Sequence, residues 1–154
     1  LEQAIADLIA WVEEGRAPSP STAFEVSADQ ALVLAPTAGG RRGIQPVVRL
    51  SAAGGSRAAV LAGEEVRFEC VAEVPPAAGT VTGVEWDFEG RGEWSLKESA
   101  IDGRSPSVSA SAVHRYQEPG TYFPSVRVTA HREGEVGAGL RALVNLGRAR
   151  VVVS

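Results

Sequence analysis

The sequence predicts an all-β sandwich of about seven strands, preceded by one amphipathic helix and an extended linker. Three observations carry that expectation. Val84, Trp86 and Phe88 alternate with Glu85, Asp87 and Glu89, the period-2 pattern of a half-buried strand. From His114 to Tyr122 the chain ends one strand at Tyr116, turns at Pro119-Gly120 and opens another at Tyr122. The same alternation recurs in Glu65 to Glu73, Ser107 to Tyr116 and Thr121 to His131, with Gly- and Pro-rich turns between.

Taken in order, residues 1–16 read as the helix. Leu1, Ala4, Ile5, Leu8, Ile9 and Val12 recur at helical spacing with Trp11 on the flank, and Gly15, Pro18 and Pro20 end it. It has no N-cap, and a helix this short needs a partner surface. It is therefore expected to be the remnant of a preceding domain, and its apolar stripe makes a homodimer through the helix an expectation too.

Residues 17–58 read as a Pro/Gly/Ala-rich linker with short strands at Phe24 to Val26 and Ala31 to Leu34. Within it Ile44 to Leu50 is extended, and Pro46 confines any strand there to an edge. The sandwich is expected over residues 59–154. Its strands are Ala59 to Leu61, Glu65 to Glu73, Val81 to Phe88, a short piece at Trp94 to Leu96, Ser107 to Tyr116, Thr121 to His131 and Arg148 to Ser154.

The bulk numbers exclude some partners. At 154 residues and 44% hydrophobic composition the chain can bury a core, and its net charge of −4 argues against nucleic acid and anionic membranes. No apolar run reaches membrane-spanning length. Cys70 is the single cysteine; it is in step with Val66 and Phe68 and reads as a small buried hydrophobe.

Trp86-Asp87-Phe88, His114-x-Tyr116 and Gly120-Thr121-Tyr122 together resemble the W-D-F, H-x-Y and G-T-Y motifs of the PKD (polycystic kidney disease) domain family. The resemblance implies an Ig-like topology for residues 59–154 and a non-catalytic module without cofactor that spaces, docks or binds. It also implies a secreted or cell-surface location. The implied partners are other domains of the same polypeptide, or an extracellular protein or polysaccharide. The family's G-D-G turn is replaced here by Glu89-Gly90-Arg91-Gly92, which sets aside any turn-specific ligand contact. The run Ile9 to Pro18, IAWVEEGRAP, resembles the last helix of a secreted α/β-hydrolase of the tannase and feruloyl esterase type. That would make the chain an accessory tail of an enzyme whose catalytic residues lie upstream. No G-x-S-x-G elbow occurs in this chain.

The remaining candidates weigh against structural readings. Trp86 and Phe88 share the inward parity of Val84 and read as core. Glu85, Asp87 and Glu89 share the other face at roughly 7 Å spacing, near the separation of an inverting glycosidase pair. An outward, wet face does not raise a carboxyl pKa, so cross-strand pairing with Arg127 is the simpler account. The same three acids are the only calcium candidate, and Gly90 and Gly92 could add carbonyls, but calcium wants six to eight oxygens and no metal is assigned. His114 reads as a strand-end residue bonded to a neighbouring backbone group, and His114, His131 and Cys70 are too scattered for zinc. Trp94 and Phe123 fall on outward or loop positions. They are the candidate ligand contacts of the remaining alternative, a carbohydrate-binding module.

Overall fold

The computed structural model describes residues 2–18 and 21–154, so Leu1 of the apolar stripe and the stop at Pro20 lie outside the described residues. The helix is α1, Glu2–Glu14. It ends as the sequence requires: Gly15 takes a φ of +69°, its N–H donates to the Trp11 carbonyl at 3.1 Å, and the Arg16 N–H reaches the Ala10 carbonyl at 3.2 Å. A two-residue hairpin follows, β1 (Glu25–Val26) against β2 (Leu32–Val33), with all four residues exposed.

The sandwich strands are β3 (Val47–Ala52), β4 (Arg57–Val60), β5 (Glu65–Glu73), β6 (Thr80–Asp87), β7 (Leu96–Lys97), β8 (Ser107–Arg115), β9 (Gly120–Tyr122), β10 (Ser125–His131), β11 (Leu143–Arg148) and β12 (Arg150–Val153). One layer has the order β3-β5-β8. The opposing layer has the order β11-β10-β6-β7 and continues into β4-β12-β9. All pairings are antiparallel except β4 with β12. The second layer is more continuous than its division suggests. Tyr122 faces Val151 as Ser125 faces Arg148, one register carried through without a slip, and the Ala149 N–H donates to the Pro124 carbonyl across the gap at 3.0 Å. With β9 joined to β10, β11 to β12, and the two-residue β1, β2 and β7 set aside, seven strands remain.

Inward parity follows the sequence. Val66, Phe68, Cys70 and Ala72 of β5 interleave with Val84 and Trp86 of β6 and Val126, Val128 and Ala130 of β10, all at most 1% exposed. Gly147 lets the layers close at one edge, because a Cβ there would stand 2.8 Å from Val48 Cγ1.

Four expectations change. The sandwich begins at Val47 rather than residue 59, because Val47, Leu50 and Ala52 are buried against β5; Pro46 does confine β3 to an edge, and the Ala53-Gly54 turn that follows reads as linker only by composition. The strand expected from Thr121 to His131 breaks at Phe123-Pro124, since proline offers no N–H to the ladder. A strand at Leu143–Arg148 was not expected at all. The short piece at Trp94 to Leu96 starts later, at Leu96.

Candidate functional site

Trp86, Asp87 and Phe88 are all buried, at 1%, 2% and 8% exposure. Alternation therefore fails at Asp87, and its expected place on the wet face is corrected. Its carboxylate turns inward over the loop: Oδ1 accepts the Gly90 N–H at 2.8 Å and Oδ2 the Gly92 N–H at 2.6 Å. Both glycines have positive φ, +72° and +84°, and a Cβ on Gly90 would stand 2.6 Å from the Phe123 carbonyl oxygen. Asp87 folds the turn that replaces G-D-G. Trp86 donates its indole N–H to Glu98 at 2.8 Å, so its one polar atom is satisfied.

Phe88 lies in an aromatic run between the layers. It stacks on His114 with centroids 4.7 Å apart and 4° between planes, and His114 meets Tyr116 edge-on at 4.6 Å. Tyr116 packs on Tyr122 at 4.2 Å and donates its hydroxyl to the Phe88 carbonyl at 2.8 Å, tying the end of β8 to the end of β6. Burial, then the charge of Glu89, pushes the Tyr116 phenol well above its ordinary range. His114 does not bond to backbone as expected. Its Nε2 lies 3.3 Å from Glu89 Oε1, because Phe88 holds the ring beside the loop that carries Glu89. Gly120 opens β9 and brings Tyr122 onto Tyr116; the Tyr122 hydroxyl donates to the Glu118 carbonyl at 2.9 Å.

The acids once grouped as a calcium candidate do not converge. Glu85 stays on the outer face, where its carboxylate lies 2.6 Å from Arg127 and 2.8 Å from Lys97. Burial pushes its pKa up, but hydrogen bonds from Lys97 and Arg127 and their charges outweigh this and hold it below the usual carboxylate value. Asp87 is committed to its turn and Glu89 to His114 and Arg91. No cluster of three potential metal ligands forms among the described residues.

Around Glu85 the outer face of β6, β7 and β10 carries one row of charge. Arg127 faces Glu85 in register as expected, Lys97 faces Glu85 from β7, and the Arg127 guanidinium lies 4.4 Å over the Trp94 ring. Beside the row is a shallow cleft of about 330 Å³ lined by Thr82, Gly83, Lys97, Glu98 and Thr129. Trp94 is therefore half-buried against Arg127, whereas Phe123 stands exposed where β9 passes to β10. Lys97 and Glu98 were missed by sequence reasoning; only the β7 register shows that Lys97 opposes Glu85.

His131 is 1% exposed, and its Nδ1 accepts the Glu135 N–H at 3.2 Å. Cys70 is wholly buried; burial, then the charge of Glu98, pushes its thiol up to about 12.

The chain matches no protein-family model and no curated protein. Its fold is similar to the CARDB domain of a Pyrococcus furiosus protein, solved in complex with di-metal ions: TM-score 0.50 at 13% identity, over 71% of this chain and 93% of that one. It is also similar to fibronectin(III)-like modules of CbhA from Clostridium thermocellum, with TM-score 0.49 and 15% identity over 90% of this chain and 65% of that one. At 13% identity the likeness to the CARDB domain is one of fold alone, an Ig-like β-sandwich.

Proposed function

We propose that the sandwich is a non-catalytic accessory module of PKD-like type that spaces or docks other domains of its own polypeptide, or binds an extracellular protein or polysaccharide. One observation carries this reading: the groups that would do chemistry are already used to hold the fold. Glu85 is clamped between two cations, Asp87 closes its turn, His114 is stacked on Phe88 beside Glu89, and His131 and Cys70 are buried. General acid–base or nucleophilic catalysis needs a group that is reachable and poised near the working pH, with a second group oriented against it. The secreted or cell-surface location and attachment to a hydrolase of the tannase type rest on the two sequence resemblances.

The test is turnover by the purified 154-residue chain on aryl esters and aryl glycosides. The expected result is a rate equal to buffer alone. Hydrolysis that disappears in His114→Gln or Glu85→Gln would overturn the proposal. The carbohydrate alternative rests on Trp94, half-buried against Arg127, and on the exposed Phe123. Retention on insoluble polysaccharide, lost in Trp94→Ala, would select it.

A further inference from the structure

Helix α1 is seated back to front. The least exposed residues around it are Gln3, Ala6, Asp7 and Ala10, on one side. That side is held by polar contacts: Asp7 pairs with Arg132 of the segment after β10, and the Glu2 carboxylate accepts the Arg141 N–H at 3.0 Å. On the opposite side Ile5, Leu8, Ile9, Trp11 and Val12 are 50%, 55%, 51%, 53% and 76% exposed. A surface helix of a water-soluble fold ordinarily buries this stripe and exposes the other.

We propose that α1 is a dimerisation helix whose apolar seam packs on the same seam of a second copy about a two-fold axis. The reading is independent of what the sandwich does, but it competes with the hydrolase-tail resemblance, in which a preceding domain would cover the same stripe. Set in heptads, Ile5 and Val12 occupy a and Leu8 occupies d, and β-branched a with leucine d is the composition that favours two-stranded pairing. Ile9 and Trp11 flank the seam at e and g and widen it. The exposed surface of these five residues is on the order of 600 Å² per chain, so two copies can bury at most roughly 1,200 Å², which reaches the lower bound of specific interfaces.

Charge agrees with a second copy. Each chain carries −4, yet Asp7, Glu13 and Glu14 lie at b and c positions away from the seam, and Glu2 is engaged by Arg141. The a and d positions themselves carry no charge, so a second copy brings no like-charge pair onto the seam. The helix EQAIADLIAWVEE has no Lys or Arg to meet anionic headgroups, which disfavours a lipid surface as the occupant. Because α1 is already tethered by Asp7 and capped at Gly15, it does not have to be nucleated on association.

The test is sedimentation equilibrium of the 154-residue chain across about a hundredfold range of concentration. A monomer–dimer equilibrium is expected. The double variant Ile5→Glu/Leu8→Glu should raise its dissociation constant at least about tenfold, while Leu61→Ser, an equally exposed apolar residue beyond β4, leaves it unchanged. Should the double variant unravel the helix, Leu8→Cys reports the same contact: mild oxidation links it to a second copy, and Leu61→Cys stays monomeric. Three results would overturn the proposal. One is a wild-type chain that stays monomeric throughout, its stripe covered instead by lipid or by another part of a longer polypeptide. The others are association indifferent to both helix variants, or open-ended species larger than a dimer.

Discussion

Asp87→Asn tests whether the first motif serves the fold. The carboxylate is 2% exposed and each oxygen takes one backbone N–H, from Gly90 at 2.8 Å and Gly92 at 2.6 Å. A carboxamide has one acceptor oxygen, so one hydrogen bond survives and the amide NH₂ is driven against the other N–H. The lost bond is charge-assisted and contributes about 1.5–3 kcal/mol, while the freed N–H sits on an exposed glycine and can turn to water. Relaxation of the turn recovers part of this, leaving about 1–3 kcal/mol. At about 2–4 °C per kcal/mol for a chain this size, the expected fall in Tm is about 2–12 °C. Urea unfolding followed by tryptophan fluorescence, which includes buried Trp86, should show a lower midpoint with an unchanged slope. Gly92→Ala separates bond from backbone. Nothing stands within 4 Å of its Cβ, so the +84° φ alone should cost about 1–2 kcal/mol. An Asp87→Asn protein within about 0.5 kcal/mol of wild type would refute the reasoning.

Two further predictions concern buried and half-buried titratable groups. The folded pKa of Glu85 is depressed, so its ion pairs stabilise the fold above the ordinary carboxylate pKa and are lost as pH falls through the folded value. Glu85→Gln should therefore be less stable than wild type by about 1–2 kcal/mol at pH 7, the gap closing below about pH 4, as thermal melts at both pH values would show. With its thiol pushed up to about 12, Cys70 should react with a thiol-specific disulfide reagent at pH 8 only as fast as the protein unfolds. A burst of labelling in the native state would show that the strand opens locally.

Where alternation and turn chemistry agreed, the fold was legible. β5, β6 and β8 fall within a residue or so of their expected bounds, because β5 alternates throughout with Val66 and Phe68 inward and β6 alternates from Gly83 to Trp86. What the sequence hid was tertiary. Leu143–Arg148 carries Asn145 and Gly147 at positions that look like loop. Yet Asn145 donates to the Pro46 carbonyl at 2.7 Å and Gly147 is required by the approach of Val48, facts that depend on β3 lying alongside. The candidate site was less legible for the same reason. Asp87 has the parity of a surface acid, and only two N–H groups three and five residues later in the chain pull it inward.

The three motifs that gave the resemblance are consumed by folding. Asp87 closes a turn, Tyr116 ties β8 to β6 through the Phe88 carbonyl, and Gly120 starts the strand that brings Tyr122 onto Tyr116. A motif spent in this way specifies architecture and leaves the ligand open. Function has to lie in what the sandwich does not need for itself, and by that criterion two features stand out. One is the row of Trp94, Arg127, Glu85 and Lys97 on an outer sheet face, where both cations already share the Glu85 carboxylate and Arg127 also lies over the Trp94 ring. The other is the stripe of α1, where Ile5, Leu8, Ile9 and Val12 stay at least half exposed among the described residues. The first is satisfied without a partner and the second is not, so the helix is where an association has the larger driving force.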